Sequence, residues 1–225
     1  MMKNKKFIKE YIEPIVIAIL IALFIRAFIV QAFKIPSSSM EPTLLVGDHL
    51  LVNKFIYGIR IPYSDCEFGF SRNFPFILKY PKIPKDPPSE KFFKYKSPHR
   101  GDIVVFIFPK DRRKDFIKRV IGTEGEKVEI VRNKIYINDK LMDDPWGYFE
   151  KPMPSIEDFG PVKVPKDFLF VMGDNRDNSQ DSRFWGFAHV NDVKGKAFMV
   201  YFSWNSNAQN LWNMVRWNRF GKLIH

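Results

Sequence analysis

Residues 14–33 are apolar almost throughout, running from Pro14 and Ile15 to Ala32 and Phe33 with Arg26 as the one charge. A stretch of about 20 such residues is what a helix needs to cross a bilayer, so the rest of the chain has to be arranged around it. Pro14 is tolerated in a first helical turn, where its missing N–H would be unpaired in any case. Arg26 lies toward the far end, where its aliphatic stem lets the guanidinium reach the interface. Ahead of the run, Lys3, Lys5, Lys6 and Lys9 outnumber Glu10 and Glu13, and basic residues hold their flank of a span in the cytoplasm. This organisation makes residues 1–13 a cytoplasmic basic tail, 14–33 a single transmembrane anchor and 34–225 an extracytoplasmic domain. A cleavable leader with an apolar core ending at Ile25 is the competing pattern, but no convincing small-x-small cleavage site follows the run.

The formal net charge is +11 and aromatic residues make up 16% of the chain. No zinc-finger, homeodomain or RNP-like pattern accompanies the charge and the lysines are scattered, so the balance points to an anionic membrane surface and not to nucleic acid. Cys66 is the one cysteine, which excludes an internal disulfide and a multi-cysteine zinc site. His49, His99, His189 and His225 have no metal-ligand spacing among them. No metal and no cofactor are expected.

Beyond the anchor the pattern is that of a mainly β protein. Residues 103–108 (Ile-Val-Val-Phe-Ile-Phe) are a wholly apolar, β-branched run of the kind buried on both faces of a sheet. Shorter strands are expected over 44–57, 116–121, 168–172 and 196–203, with a hairpin of 127–131 and 135–138 around Arg132-Asn133-Lys134. Residues 58–99 interleave Pro62, Pro75, Pro81, Pro84, Pro87, Pro88 and Pro98 with aromatics, which suits neither a regular helix nor a central strand; an extended insertion is expected there. Many short strands with turns between them point to an antiparallel sheet or partial barrel, with a small β-hairpin subdomain at about 124–165.

Three stretches carry chemistry. In Ile35-Pro36-Ser37-Ser38-Ser39-Met40-Glu41-Pro42-Thr43-Leu44, the prolines bias Ile35 and Glu41 toward extended conformations, so a hydroxyl there can be held at a fixed angle; taken alone, the serines also read as a polar linker. Lys118 lies in a strand whose alternation puts Phe116, Lys118 and Val120 on one face and Ile117, Arg119 and Ile121 on the other. A lysine so flanked either snorkels to solvent or is desolvated, and lowering its pKa to 7–8 takes roughly 4 kcal/mol of desolvation. The third is Gly173-Asp174-Asn175-Arg176-Asp177-Asn178-Ser179-Gln180-Asp181-Ser182-Arg183. It fits a calcium loop badly, with Arg176 at the third position and Ser179 where glycine belongs, and reads better as a self-bonded polar network. There is no Gly-x-Ser-x-Gly elbow and no Ser-x-x-Lys motif.

Together with Gly47-Asp48-His49-Leu50-Leu51-Val52-Asn53-Lys54-Phe55 and Arg100-Gly101-Asp102-Ile103-Val104-Val105-Phe106, these blocks resemble, in order, the bacterial type I signal peptidases. The resemblance implies a membrane-bound serine endopeptidase that removes signal peptides from exported preproteins at the plasma (inner) membrane, in contact with lipid and the export machinery. It implies that Ser39 is the nucleophile and Lys118 its general base, a variant of triad logic that needs neither histidine nor aspartate. The Ser37 hydroxyl and the Ser39 N–H would form the oxyanion hole. Ser179 would orient the lysine, with Asp181, Arg183 and Arg119 holding the loop. Phe33, Ile35, Met40, Leu44, Val105, Phe116 and Ile117 would line shallow pockets for small side chains; Phe116 stands where the family often has tyrosine. Two rivals remain at this level. One is a self-cleaving repressor-type protease, disfavoured by the apolar span. The other is an anchored β-domain that binds exported proteins without cutting them.

Overall fold

The computed structural model describes residues 8–58, 96–150, 157–208 and 210–224. Most of the insertion expected over 58–99, and most of the basic tail, lie outside the described residues. A π-helical turn at Ile8–Ile12 leads into helix α1 (Glu13–Phe28). Strands follow as β1 (Val30–Lys34), β2 (Asp48–Asn53), β3 (Ile103–Ile107), β4 (Asp115–Gly122), β5 (Lys127–Val131) and β6 (Lys134–Ile137). The remainder are β7 (Lys140–Leu141), β8 (Phe159–Lys163), β9 (Phe168–Met172), β10 (Ala188–His189), β11 (Val193–Ser203) and β12 (Lys222–Leu223), with a short helix α2 (Ser182–Trp185) after β9.

The apolar run does not stay helical to Phe33, as its length had suggested. α1 stops at Phe28, and Val30–Lys34 is a strand paired antiparallel with β2, Phe33 opposite Leu50 and Lys34 opposite His49. The cause is tertiary: the carbonyl of Ile29 accepts from the Lys54 N–H at 2.9 Å, and β2 then satisfies the backbone that further helical turns would have satisfied. Among the described residues no helix is long and apolar enough to cross a membrane. At 1.5 Å per residue the 16 residues of α1 rise roughly 24 Å, short of the hydrocarbon thickness of about 30 Å.

Every strand pairing is antiparallel among the described residues. An open eight-stranded sheet runs β1-β2-β11-β3-β4-β9-β10, with β12 beside β11; a four-stranded sheet runs β7-β6-β5-β8. β3 is buried at all five positions because both its faces are covered. Ile103 and Val105 join Ile35, Met40, Leu44, Leu50 and Val200 on one side, while Val104 and Phe106 join Val120, Val171 and Val193 on the other. The small sheet packs through Val128, Ile130, Ile135 and Ile137 onto Ile121, Phe170 and Met172. Its β5–β6 hairpin turns on Arg132 and Asn133, both at positive φ (48° and 66°), the two-residue turn whose twist suits a hairpin.

One glycine position is unforgiving. Gly47, at φ +90°, opens β2, and a Cβ there would sit 1.9 Å from the Trp204 carbonyl oxygen. Gly47→Ala combines left-handed backbone with a backbone clash and is expected to cost upwards of about 3 kcal/mol, read as a lower urea midpoint with an unchanged slope.

Candidate active site

The serine stretch becomes a compact turn because both its ends are fastened. Ile35 N–H donates to Asp48 O at 2.8 Å and Gly47 N–H to Ile35 O at 2.9 Å, while Leu44 N–H donates to Met40 O at 2.8 Å inside the turn. Met40 and Leu44 are fully buried in the cluster with Leu50 of β2 and Ile103 and Val105 of β3, which anchors the turn that carries Ser39. Asp48 caps the turn, accepting from Leu45 N–H at 2.8 Å. Arg219, near the C-terminus, pairs with Asp48 through two nitrogens and donates to Thr43 O at 3.0 Å. Ser39 is buried, while Ser37 is exposed two residues earlier.

Lys118 lies on β4 opposite Val104 of β3. It is only 4% exposed, and its Nζ donates to Ser39 Oγ at 2.6 Å. Burial brings its pKa down to about 8, against the pull of the Asp181 and Asp174 carboxylates toward the charged form; the Arg183 guanidinium adds to the lowering. A buried amine that is neutral in an appreciable fraction at neutral pH, in contact with a serine hydroxyl, has the properties of a general base and its nucleophile.

The polar loop after β9 backs this pair. Arg119, adjacent to Lys118, donates from Nε and Nη2 to the two Asp174 oxygens at 2.9 and 2.8 Å and from Nη1 to Gly101 O at 2.7 Å. Both partners of that pair are completely buried. Thr43 Oγ1 donates to Asp174 Oδ2 at 2.6 Å, so one carboxylate joins the serine turn to the lysine strand. Asp181 caps α2, accepts from Gly173 N–H at 3.1 Å and from Arg183 Nε at 2.8 Å, and Arg183 Nη2 reaches Arg176 O at 2.8 Å. Asn175 N–H donates to Ser39 O at 3.2 Å and Asn178 Nδ2 to Ser38 Oγ at 2.9 Å.

The family described as signal peptidase, peptidase S26, matches this chain over residues 8–204. The chain belongs to that family. Signal peptidase I of Aquifex aeolicus (strain VF5) is 33% identical, over 87% of this chain and 84% of its own length. Signal peptidase I of Pseudomonas aeruginosa is 32% identical, over 100% of this chain and 82% of its own. A signal peptidase I of known structure, from Enterococcus faecalis V583, is 31% identical with a TM-score of 0.40, covering 45% of this chain and 97% of its own. As a signal peptidase the chain is a hydrolase of peptide bonds.

In this signal peptidase the residues expected at the site converge unevenly. Ser39, Lys118, Arg119, Asp181 and Arg183 form one network. Phe33, Ile35, Met40, Leu44, Val105 and Ile117 pack as one cluster beside it. Phe116 belongs to the cluster on the other face, stacked on Phe108 with ring centroids 4.2 Å apart, although its ring also lies 5.7 Å from Lys118 Nζ. Ser179 is buried, yet among the described residues its Oγ has no hydrogen-bond partner; it lies against Gly173, where a Cβ would approach it to 2.3 Å. Sequence reasoning gives no role to Asp48, Thr43, Asp174, Arg176 or Arg219; for Asp174 and Arg176 the one hint is the surplus of Asp and Arg in the loop. Among the described residues no group of His, Cys, Asp and Glu is placed to hold a metal ion.

Proposed function

We propose that this chain is a membrane-bound serine endopeptidase that removes N-terminal signal peptides from exported preproteins, with Ser39 as nucleophile and Lys118 as general base. The observation that carries the reading is the buried 2.6 Å contact between Lys118 Nζ and Ser39 Oγ, with the lysine pKa lowered to about 8 by burial. Neutral Lys118 takes the Ser39 proton as Oγ attacks the scissile carbonyl. The developing oxyanion accepts from the Ser37 hydroxyl and the Ser39 N–H, donors typically worth a few kcal/mol each. The lysine ammonium then protonates the leaving amine, and the same base activates the water that releases the acyl-enzyme. The Ser179 hydroxyl, unpartnered among the described residues, is available to accept from the ammonium as it forms. Phe33, Ile35, Met40, Leu44, Val105 and Ile117 wall the pockets for the small side chains before the cleaved bond.

Membrane attachment is supported by two surfaces. Apolar side chains line the exposed surface of α1, with Ile15, Leu20 and Phe24 more than half exposed, which is costly anywhere but in lipid, and the turn Ile8–Ile12 lengthens the helix. Near the C-terminus Trp212, Trp217, Phe220 and Leu223 are exposed, with Trp217 stacked on Phe220. Phe202 packs edge-on against both Phe220 and His49, and His49 pairs with Lys34 at the end of β1. Tryptophan beside basic residues suits the headgroup region of a bilayer. A single N-terminal anchor with the catalytic domain on the outer face of the plasma membrane puts Ser39 where signal peptides emerge.

The test is cleavage of a purified preprotein in lipid by wild type and Ser39→Ala. The variant should melt as wild type does and lose about 10³-fold or more in kcat/KM; cleavage at an undiminished rate would remove Ser39 from the role of nucleophile.

A further inference from the structure

The connection between β7 and β8 grips the outside of the polar loop whose inner side holds the serine turn. Asp144 accepts from Arg176 Nη1 at 2.6 Å and Nη2 at 2.9 Å, and Arg176 is 1% exposed. Gly147 lies so close over this pair that a Cβ there would come within 2.7 Å of Asp144 Oδ2. Tyr148 N–H donates to Asp174 O, and Arg176 N–H donates to Tyr148 O, both at 2.8 Å, forming a parallel bridge. Asn175 Nδ2 donates to Glu150 Oε1 at 2.8 Å and Glu150 N–H to Asp177 Oδ2 at 2.6 Å. Trp146 lies under the Arg119 guanidinium, 4.4 Å from ring centroid to Cζ.

The inner contacts of the same loop to the serine turn include those to Ser38 Oγ, Ser39 O and Thr43 Oγ1. Arg176 links the two sides: its Nε donates to Gly173 O at 3.0 Å, and its own carbonyl accepts from Arg183. We infer that residues 144–150 are a clamp that presses the polar loop onto Ser39 and Lys118, with Asp144, acting through Arg176, as a positioning residue for the reaction. The small sheet then has a function: it delivers this clamp. The inference rests on the serine–lysine reading given above.

The consequence is read at Lys118. The charged groups that face it are Asp174, Asp181 and Arg183 of the loop, its largest influence is burial, and the same loop is bonded to Ser38 and to Ser39, the residue Lys118 contacts. In Asp144→Ala the Arg176 guanidinium is left buried without its carboxylate and must turn toward water, loosening the loop and admitting solvent to Lys118. Rehydration raises the lysine pKa. The limb of kcat/KM on which the base becomes neutral therefore moves to higher pH, by about one unit, which at pH 7 is a loss of roughly tenfold. Rates above the limb stay near wild type.

The experiment is the pH profile of preprotein cleavage by wild type, Asp144→Ala, Asp144→Asn, Asp144→Glu, Asp143→Asn and Lys118→Met, each checked by thermal melting. Asp144→Asn keeps the shape and removes the charge, so it reports even where the alanine variant fails to fold. Asp144→Glu should recover part of the shift, and Asp143→Asn, at the exposed neighbour, should show none. A profile for Asp144→Asn that superimposes on wild type, or a loss equal at every pH, with Lys118→Met inactive, overturns the clamp and leaves the dyad standing. Cleavage by Lys118→Met overturns both.

Discussion

Lys118→Met is expected to abolish cleavage and, at neutral pH, to make the folded protein more stable. The two effects have one origin. In the unfolded chain the lysine titrates near 10.5, and in the fold at about 8. Below pH 8 both states carry the proton, so folding must bury an ammonium in the 4%-exposed site; the difference in pKa sets that penalty at roughly 3 kcal/mol. Between pH 8 and 10.5 the unfolded state keeps a proton the folded state has released, so stability rises with pH, and above 10.5 the penalty is gone. Methionine fills the volume without the charge, at the loss of the hydrogen bond to Ser39, about 1 kcal/mol. A net gain of about 2 kcal/mol is therefore expected at pH 7, disappearing by pH 10.5. Urea unfolding of both proteins at pH 7 and pH 10 checks it. A Lys118→Met protein less stable than wild type at pH 7 would mean that the lysine is not desolvated, and the case for a neutral base would fall with it.

What could be read from sequence was what depends on periodicity and on near neighbours. Most of the run 103–108 is a strand because consecutive apolar residues need two covered faces, and β3 (Ile103–Ile107) has them, with Phe108 just past its end. Lys118 stood out because Phe116, Ile117 and Val120 surround it within one strand. The end of α1 was illegible because no glycine or proline marks it: the strand Val30–Lys34 exists only by virtue of β2, which follows the serine turn. The ion pairs were illegible for the same reason. Asp48 meets Arg219 across 171 residues and Arg119 meets Asp174 across 55, and nothing local to either partner announces the other. Phe116 shows the limit from the opposite side: alternation put it beside Lys118, but only the packing of Phe106, Phe108 and Trp185 shows which cluster its ring joins.

The largest loss of stability is expected at the Arg119–Asp174 pair. Asp174→Ala leaves a guanidinium with no exposed surface facing a vacated space, and Arg119 cannot reach water without displacing Trp146, which is stacked on it. Breaking a buried pair from one side typically costs 3–5 kcal/mol. Thr43 Oγ1 also loses its acceptor, adding about 1 kcal/mol. With a two-state domain of ordinary stability, that is enough to leave much of the protein unfolded at 37 °C. Removing both charges should be far milder. Arg119→Met with Asp174→Leu exchanges the pair for apolar volume, a replacement that is often neutral or better, so the double variant should recover most of the loss and the double-mutant cycle should show strong coupling. Recovered stability need not bring recovered activity, because Asp174 also joins the Ser39 turn to the Lys118 strand through Thr43 and Arg119. An Asp174→Ala protein that unfolds at the wild-type urea midpoint would show that the pair is not buried in solution. A double variant as fast as wild type would show that the bridge does not position the dyad.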